Sequence, residues 1–318
     1  MSLKVVALTG GVGGAKLAYG LSQVLPPHTL TVIGNVGDDF EYYGLHISPD
    51  LDTVMYTLAG IVNPITGWGQ NNETWQMKTM LQTYGEDVWF GLGDRDLATH
   101  ILRTDWLRRG YRLTEITLHL AEQLQIPHTI LPATDDRLRT MVQTVEYGLL
   151  PFQEYFVKHR WQPIVSDVSY DGAETAKVSP EVLEAIQQAD LIIICPSNPI
   201  LSIAPILAVQ SMRELLMSRS VPTVLVSPLI GGKAIKGPTD KIMRELGYIP
   251  STIGVVQFYE GLLDYLIIDV ADASELKTVQ ELYPKLQILQ TSTLMQTIDD
   301  RISLAQYVLA CLENEEIR

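Results

Sequence analysis

Residues 4–16, KVVALTGGVGGAK, decide the fold, because an apolar run leads through a glycine-rich turn into a segment with helical periodicity. The turn contains Gly10, Gly11, Gly13 and Gly14, and the helical face that follows carries Leu17, Leu21, Val24 and Leu25. Such a turn lets backbone amides approach a ligand closely, and the positive end of the helix attracts phosphate. The stretch predicts a strand, a phosphate-binding turn and a helix; a tight turn without a ligand is the alternative.

The glycine-rich turn fits neither of the two familiar phosphate-binding patterns. A P-loop ends in Gly-Lys followed by Ser or Thr, but here Ala15 separates Gly14 from Lys16. The dinucleotide pattern G-x-G-x-x-G fails as well, because Lys16 stands where its last glycine belongs. A magnesium ion, if one is bound, must therefore be held by residues elsewhere in the chain.

Short β-branched runs alternate with amphipathic segments along most of the chain, which is the pattern of an α/β protein with a parallel sheet. The predicted strands are residues 4–8, 30–34, 191–195, 223–227, 253–257 and 266–269. Residues 67–160 are more aromatic and polar, and Thr114 is predicted to cap a helix there, as Ser179 with Pro180 does further on. We expect residues 1–66 and 161–318 to form the core and residues 67–160 a mainly helical insertion.

Charge and composition exclude several classes of function. The 318 residues carry a formal net charge of −14, which opposes general binding to nucleic acid or anionic membranes. No apolar run approaches the roughly 20 residues of a membrane helix, and no signal-peptide pattern occurs. Cys195 and Cys311 have no metal-ligand spacing and are expected to be buried thiols. These features favour a cytoplasmic protein.

Three pairs of carboxylates follow strands or begin helices. Asp38 and Asp39 come directly after the strand at residues 30–34, where an acid holds either a ribose or a metal ion. The second pair is Asp50 and Asp52, behind Ser48 as the expected N-cap and Pro49; the third is Asp94, a possible N-cap, and Asp96, with Arg95 between them. Acids in a first helical turn also favour the helix dipole, so Asp50 and the third pair also have a purely structural interpretation, whereas Asp52 has less structural reason to be an acid.

Taken together, the carboxylates and the glycine-rich turn indicate a divalent cation that bridges phosphates. Magnesium prefers one or two carboxylates and leaves its other positions to water and substrate phosphate. Ser197 and Asn198 follow another strand and offer short polar groups to a nucleotide. Lys233 and Lys236, after the strand at 223–227, are either ligands or ordinary solvated charges, and a packing role is favoured for His100. The chain offers no evident nucleophile for covalent catalysis.

Eight stretches, in this order, resemble the 2-phospho-L-lactate transferases of deazaflavin coenzyme biosynthesis: GGVGGAKLAYGL, NVGDDFEYYGLHISPDLDTVMYTLAG, GWGQNNETW, WFGLGDRDLATHILR, LPATDDR, FQEYFVKHR, PSNPILSIAPIL and SPLIGGKAIKGP. The resemblance implies a Rossmann-like, three-layer αβα core with a mostly parallel sheet and a largely helical inserted subdomain. It also implies a Mg²⁺-dependent transfer from a guanosine diphosphate ester of lactate, or of a related three-carbon acid such as enolpyruvate. The acceptor would be the ribityl hydroxyl of 7,8-didemethyl-8-hydroxy-5-deazariboflavin (Fo), with GMP released, and the enzyme would be a homodimer.

Carried onto this chain, the resemblance assigns expected roles to individual residues. The substrate-binding residues would be Gly10, Gly11, Gly13, Gly14, Lys16, Asp94, Arg95, Asp96, Ser197 and Asn198. Asp38 and Asp50 would hold the metal, and Asp50 or Asp52 would accept the proton of the attacking hydroxyl. A weaker resemblance, to regulators of the gluconeogenesis-factor type that bind nucleotide sugars without catalysis, is the alternative. The missing last glycine disfavours a nicotinamide enzyme.

Overall fold

The computed structural model describes residues 2–311, and its centre is a seven-stranded parallel sheet. From one edge to the other the strands are β14 (Gln287–Thr291), β13 (Tyr265–Asp269), β10 (Thr223–Val226), β9 (Leu191–Ile194), β1 (Val5–Thr9), β2 (Leu30–Gly34) and β5 (Thr129–Pro132). Four neighbouring strands are buried along their whole length: β13, β10, β9 and β1. Such burial is expected for strands covered by helices on both faces. The predicted parallel sheet of a three-layer α/β fold is confirmed.

Three small antiparallel sheets lie outside the central sheet. One is the hairpin of β3 (Phe40–Tyr42) and β4 (Leu45–Ile47), and another pairs β11 (Leu229–Ile230) with β12 (Lys233–Ala234). In the third, β6 (Arg139–Thr144) lies between β7 (Gly148–Pro151) and β8 (Val165–Asp171). The first two hairpins follow β2 and β10, so they extend the carboxyl edge of the central sheet.

Twelve α-helices occur within residues 2–311. They are α1 (Gly11–Val24), α2 (Pro49–Leu58), α3 (Gln76–Thr83), α4 (Asp94–Arg108), α5 (Leu113–Gln123), α6 (Pro180–Gln188), α7 (Ala204–Ala208), α8 (Met212–Met217), α9 (Thr239–Glu245), α10 (Thr252–Phe258), α11 (Leu276–Leu282) and α12 (Ile298–Ala310). Helix α1 packs against both α2 and α12, and its predicted apolar residues Leu17 and Leu21 are fully buried. No helix in this range is both long and apolar enough to cross a bilayer.

The strand predicted at residues 253–257 is wrong, because this segment belongs to helix α10. The Ser251 hydroxyl accepts a hydrogen bond from the backbone N–H of Gly254 and so caps the helix. An apolar run of five residues fits a short helix as well as a strand, and only the serine in front of it distinguishes the two. The segment is needed as a helix because it lies on the crossover between the parallel strands β10 and β13.

The predicted helix starts are confirmed at two places and corrected at two others. Ser179 caps α6 through its hydroxyl, and Ser48 is the N-cap residue of α2. Thr114 is wrong as an N-cap, because α5 begins one residue earlier and Arg112 precedes it. Asp94 is the first residue of α4 rather than its cap, since Gly93 takes that position with extended backbone.

The segment 67–160 contains three α-helices and one short π-helix, Glu154–Lys158, and it also returns to the central sheet. Its strand β5 pairs with β2 at the edge of the sheet, and β6 and β7 form most of a small antiparallel sheet. The division of the chain at residues 66 and 160 stays a prediction. Both cysteines are buried, as predicted, and burial raises the pKa of the Cys195 thiol to about 12.

Candidate functional site

A cavity of about 600 Å³ opens at the carboxyl edge of the central sheet. The strand order reverses between β1 and β9, so the segments that leave these two neighbours diverge and open a crevice between them. Most of the predicted site residues line the cavity: Gly10, Gly11, Gly13, Lys16, Asp38, Asp50, Asp52, Asp96, Ser197 and Asn198. Gly14, Asp94 and Arg95 do not.

The glycine-rich turn packs directly against the segment that follows β9. The Ser197 hydroxyl donates a hydrogen bond to the carbonyl of Gly10 (2.8 Å) and lies 3.2 Å from its backbone N–H. A Cβ atom at Gly13 would lie 2.5 Å from the carbonyl oxygen of Pro196, and one at Gly14 would overlap the Thr9 side chain. Glycine is therefore required for the close approach of the two segments, and Gly14 fills the base of the turn.

Asp38 and Asp50 form a buried pair of carboxylates on one wall of the cavity. The Asn35 side-chain amide donates to both, at 2.9 Å from Asp50 Oδ2, and ties β2 to the start of α2. Burial raises the pKa of Asp50 to about 6, although hydrogen bonds from Asn35 and the Gly11 N–H oppose the shift. Burial and the charge of Asp50 also raise the pKa of Asp38 well above its usual range.

The donor set of this pair suits a hard divalent cation. The two carboxylates offer oxygen ligands, which are the ligands that Mg²⁺ takes in proteins, whereas Asn35 faces them with its NH₂ group because its side-chain oxygen accepts from the Gly37 N–H. A cation would also offset the burial that raises the pKa of both acids. Asp39 does not share this environment, because its carboxylate accepts from Ser48 Oγ (2.8 Å) and lies 2.9 Å from His46 Nε2. The structure thus separates Asp38, which lines the cavity, from its neighbour.

Asp52 lies in a second buried network. The guanidinium of Arg103 binds both of its carboxylate oxygens, one of them at 3.0 Å, and Arg103 is 1% exposed. His100 lies between two acids, with Nδ1 at 3.6 Å from Asp52 and Nε2 at 3.3 Å from Asp96. The hydroxyl of Tyr56 donates to Asp96 at 2.6 Å.

This second network is better described as a set of ion pairs than as a metal site. Ligand atoms of Asp52, Asp96 and His100 lie within 4.8 Å of one another. However, two different nitrogens of His100 face the two carboxylates, and Arg103 already neutralises Asp52. Sequence reasoning did not single out Arg103. Its spacing from Asp96 and His100 could have indicated this role, because that spacing places the three residues on one face of α4.

Asp94 and Arg95 lie away from the cavity, for a local structural reason. The Asp94 carboxylate accepts hydrogen bonds from the backbone N–H groups of Gln76 (3.0 Å) and Met77 (3.1 Å) and so caps α3. These bonds and one from the Thr74 hydroxyl lower the pKa of Asp94. Arg95 is exposed, and neither residue lines the cavity, so substrate contacts of Asp94 and Arg95 stay a prediction.

The remaining walls include Lys236, one of the two lysines considered as possible ligands from the sequence, and further segments that were not predicted to reach the site. Lys236 and Thr239 follow the β11–β12 hairpin, and residues 293–296 follow the edge strand β14, which was not predicted. Aromatic side chains form a further wall: Trp68, Phe90, Phe152 and Phe156. Phe152 and Phe156 lie 5.1 Å apart between ring centroids. A loop after an unpredicted strand carries no periodic signal, so residues 293–296 were not predicted to line the cavity.

The strand order around β1, with a cavity at the point where that order reverses, defines a Rossmann-like α/β protein that binds small molecules at the carboxyl edge of its sheet. The chain belongs to the family 2-phospho-L-lactate transferase CofD, whose sequence profile matches residues 5–298. The resemblance found in the motifs is thereby confirmed, and the protein is a transferase of this family.

Named relatives match along nearly the whole chain. A phosphoenolpyruvate transferase of Streptomyces griseus is 41% identical over 316 residues, which are 98% of this chain and 99% of the relative. A 2-phospho-L-lactate transferase of Methanocaldococcus jannaschii is 37% identical over 312 residues, 97% of this chain and 98% of the relative. A crystal structure of a UPF0052 family protein from Bacillus halodurans has a TM-score of 0.62 at 15% identity, with 97% and 99% of the chains covered. That likeness concerns the fold alone.

Proposed function

We propose that the protein transfers the phosphorylated three-carbon acid of a guanosine diphosphate ester to the terminal ribityl hydroxyl of Fo, with Mg²⁺, and releases GMP. One observation carries the proposal: the glycine-rich turn and the carboxylates Asp38 and Asp50 face the same cavity at the switch point of the sheet. Phosphoryl transfer requires positioning and neutralisation of charge more than a covalent intermediate. Backbone amides and an oxygen-ligand metal site supply both.

The three-carbon acid is lactate or enolpyruvate in this proposal. The relatives at 41% and 37% identity bear names that differ in this acid, and the two identities are too close to choose between them. Both esters share the guanosine diphosphate part, so the same turn would hold either. A competition between the two esters in one reaction decides which donor the cavity prefers.

The donor's phosphates are assigned to the backbone amides of the glycine-rich turn and the start of α1. Ser197 contributes indirectly, because its hydroxyl is engaged with the backbone of Gly10. Asn198 uses its side-chain oxygen to accept from the N–H groups of Ile200 and Leu201, each at 2.9 Å. Its side-chain NH₂ group is the part that would meet the nucleotide.

Asp38 and Asp50 are assigned to the magnesium ion. When bound, Mg²⁺ would neutralise charge on the phosphate oxygens. Of the two acids proposed to take the hydroxyl's proton, Asp50 fits better than Asp52, because Arg103 occupies both oxygens of Asp52.

The flat deazaflavin ring of the acceptor is assigned to the aromatic wall of Trp68, Phe90 and Phe156. Aromatic side chains bind planar rings by offset or edge-to-face stacking. Asp96 and His100 line the cavity beside Asp52 and are placed to meet the ribityl hydroxyls. We further propose that the enzyme works in the cytoplasm as a homodimer.

Product analysis by mass spectrometry tests this proposal. Purified protein with Fo, Mg²⁺ and equal amounts of the lactyl and enolpyruvyl esters should yield phosphorylated Fo carrying one three-carbon acid. Asp50→Asn should lower the rate by about 10²-fold or more, the size expected when a group acting on the transition state is removed. Asp105→Asn, an exposed carboxylate paired with Arg109, is the matched control and should keep the wild-type rate. Binding of a uridine diphosphate sugar without any conversion of Fo would favour the regulator instead.

A further inference from the structure

Two lysines line the cavity, Lys16 and Lys236, and among residues 2–311 their only hydrogen-bond partners are backbone carbonyls. The Lys16 ammonium donates to the carbonyl of Met295 at 2.8 Å, and that of Lys236 donates to the carbonyl of Thr66. Lysines that form ion pairs within residues 2–311 lie elsewhere: Lys158, Lys241 and Lys277. In a chain with a net charge of −14, two cations in one cavity that pair with no carboxylate of the described residues call for an anionic ligand.

The two ammonium groups repel each other. Burial lowers the pKa of Lys16, and the charges of Arg301 and Lys236 lower it further. Burial also lowers the pKa of Lys236. Like charges held together without a counter-ion are unfavourable, and a bound oxyanion would relieve the repulsion. Asp38 and Asp50 are a buried pair of the opposite charge, so the cavity has an acidic part and a basic part.

Each ammonium also has capacity for a ligand. A lysine ammonium carries three N–H donors, and the hydrogen bonds found for Lys16 and Lys236 within the described residues use one donor each. A ligand can therefore be bound without loss of the bond to Met295 or Thr66. Those bonds hold the ammonium groups close to the glycine-rich turn. Lys236 Nζ lies 3.7 Å from the point where a Cβ atom would stand at Gly67, and the same point lies close to the side chain of Val12 in the turn.

We propose that Lys236 joins Lys16 in an oxyanion subsite that binds the diphosphate of the nucleotide, and that Lys236 supplies the phosphate-binding ammonium that a P-loop carries within its own turn. The glycine-rich turn lacks a lysine directly after its last glycine. Lys236 reaches the turn from the segment after the β11–β12 hairpin instead. The identity of the anion rests on the proposed function, but the charge complementarity does not.

Calorimetric titration with GDP and with guanosine, without acceptor or turnover, tests the subsite. Lys236→Gln should raise the Kd for GDP about tenfold or more, the effect of losing one hydrogen bond to a charged group. Its Kd for guanosine should stay within about twofold of the wild-type value, because the nucleoside carries no phosphate. Lys236→Arg should retain most of the GDP affinity, since the positive charge remains.

Lys233→Gln is the matched control, because Lys233 is an exposed lysine three residues away that does not line the cavity. Its GDP affinity should equal that of the wild type. Equal affinities of the Lys236→Gln and Lys233→Gln variants would overturn the proposal. So would an equal loss of guanosine and GDP binding in Lys236→Gln, or the absence of GDP binding by the wild type. A failure to convert Fo would reject the proposed reaction and leave this binding test intact.

Discussion

Replacement of Asp50 by asparagine should make the metal-free protein more stable at high pH. Asp50 is 6% exposed, and burial raises its pKa from 3.8 to about 6. A carboxyl group with a raised pKa in the folded state contributes most stability below its unfolded pKa and loses it as the pH rises through the folded value. The ionised carboxylate of the wild type therefore destabilises the fold above about pH 6 when no cation is bound.

The expected gain in the free energy of unfolding follows from the pKa shift of Asp50. A difference of about two pKa units corresponds to about 3 kcal/mol at pH 8. Asparagine offers one acceptor oxygen where aspartate accepts from both Asn35 and the Gly11 N–H, which loses one hydrogen bond at a cost of about 1 kcal/mol. The net gain is about 2 kcal/mol at pH 8. Near pH 4, where the wild-type carboxyl group is largely protonated, only the lost hydrogen bond remains, and the variant should be less stable than the wild type by about 1 kcal/mol.

Urea unfolding in the presence of a chelator, at pH 4 and pH 8, measures this gain. Asp94→Asn is a control of opposite sign, because hydrogen bonds lower the pKa of Asp94, whose charge therefore stabilises the fold above its unfolded pKa. That variant should be less stable than the wild type at pH 8. If Asp50→Asn is destabilised at pH 8 as much as at pH 4, Asp50 is not an electrostatically unfavourable carboxylate and the argument for a cation there fails.

Three further predictions concern the turn, the ion-pair network and a thiol. Gly13→Ala should destabilise the protein by about 1–3 kcal/mol in urea unfolding, because its Cβ would lie 2.5 Å from the rigid Pro196 carbonyl; a gain in stability would contradict this close approach. Arg103→Met should cost about 3–5 kcal/mol, since it leaves Asp52 buried without its partner, and adding Asp52→Asn should recover part of the loss. Cys195 should resist alkylation at pH 8 in the folded protein, because burial raises its pKa to about 12; rapid labelling before unfolding would refute its burial.

The sequence predicted the strands at the centre of the sheet but not those at its edges. Leu191–Ile194 is an unbroken apolar run because both its faces are covered, and such runs are recognised easily. The edge strand Gln287–Thr291 carries polar residues and is only partly buried, so its pattern resembles a loop. The segment after it, with Met295, was consequently missed as a wall of the cavity.

The site was predictable where local chemistry marks it. Asp38 and Asp50 follow a strand and begin a helix, and both line the cavity. The partner of Asp52 was not predictable, because Arg103 lies 51 residues further along the chain and the contact depends on how α2 and α4 pack. The position of Asp94 away from the cavity was not predictable for a related reason: its carboxylate caps a helix that starts 18 residues earlier.

GMP release that depends on Fo is the most direct test of the central claim. Purified protein, given Mg²⁺ and the lactyl or enolpyruvyl ester of guanosine diphosphate, should release GMP only when Fo is added, with one GMP for each molecule of phosphorylated Fo formed. Equal GMP release with and without Fo, or none with either ester, would contradict the assignment of the cavity to this transfer.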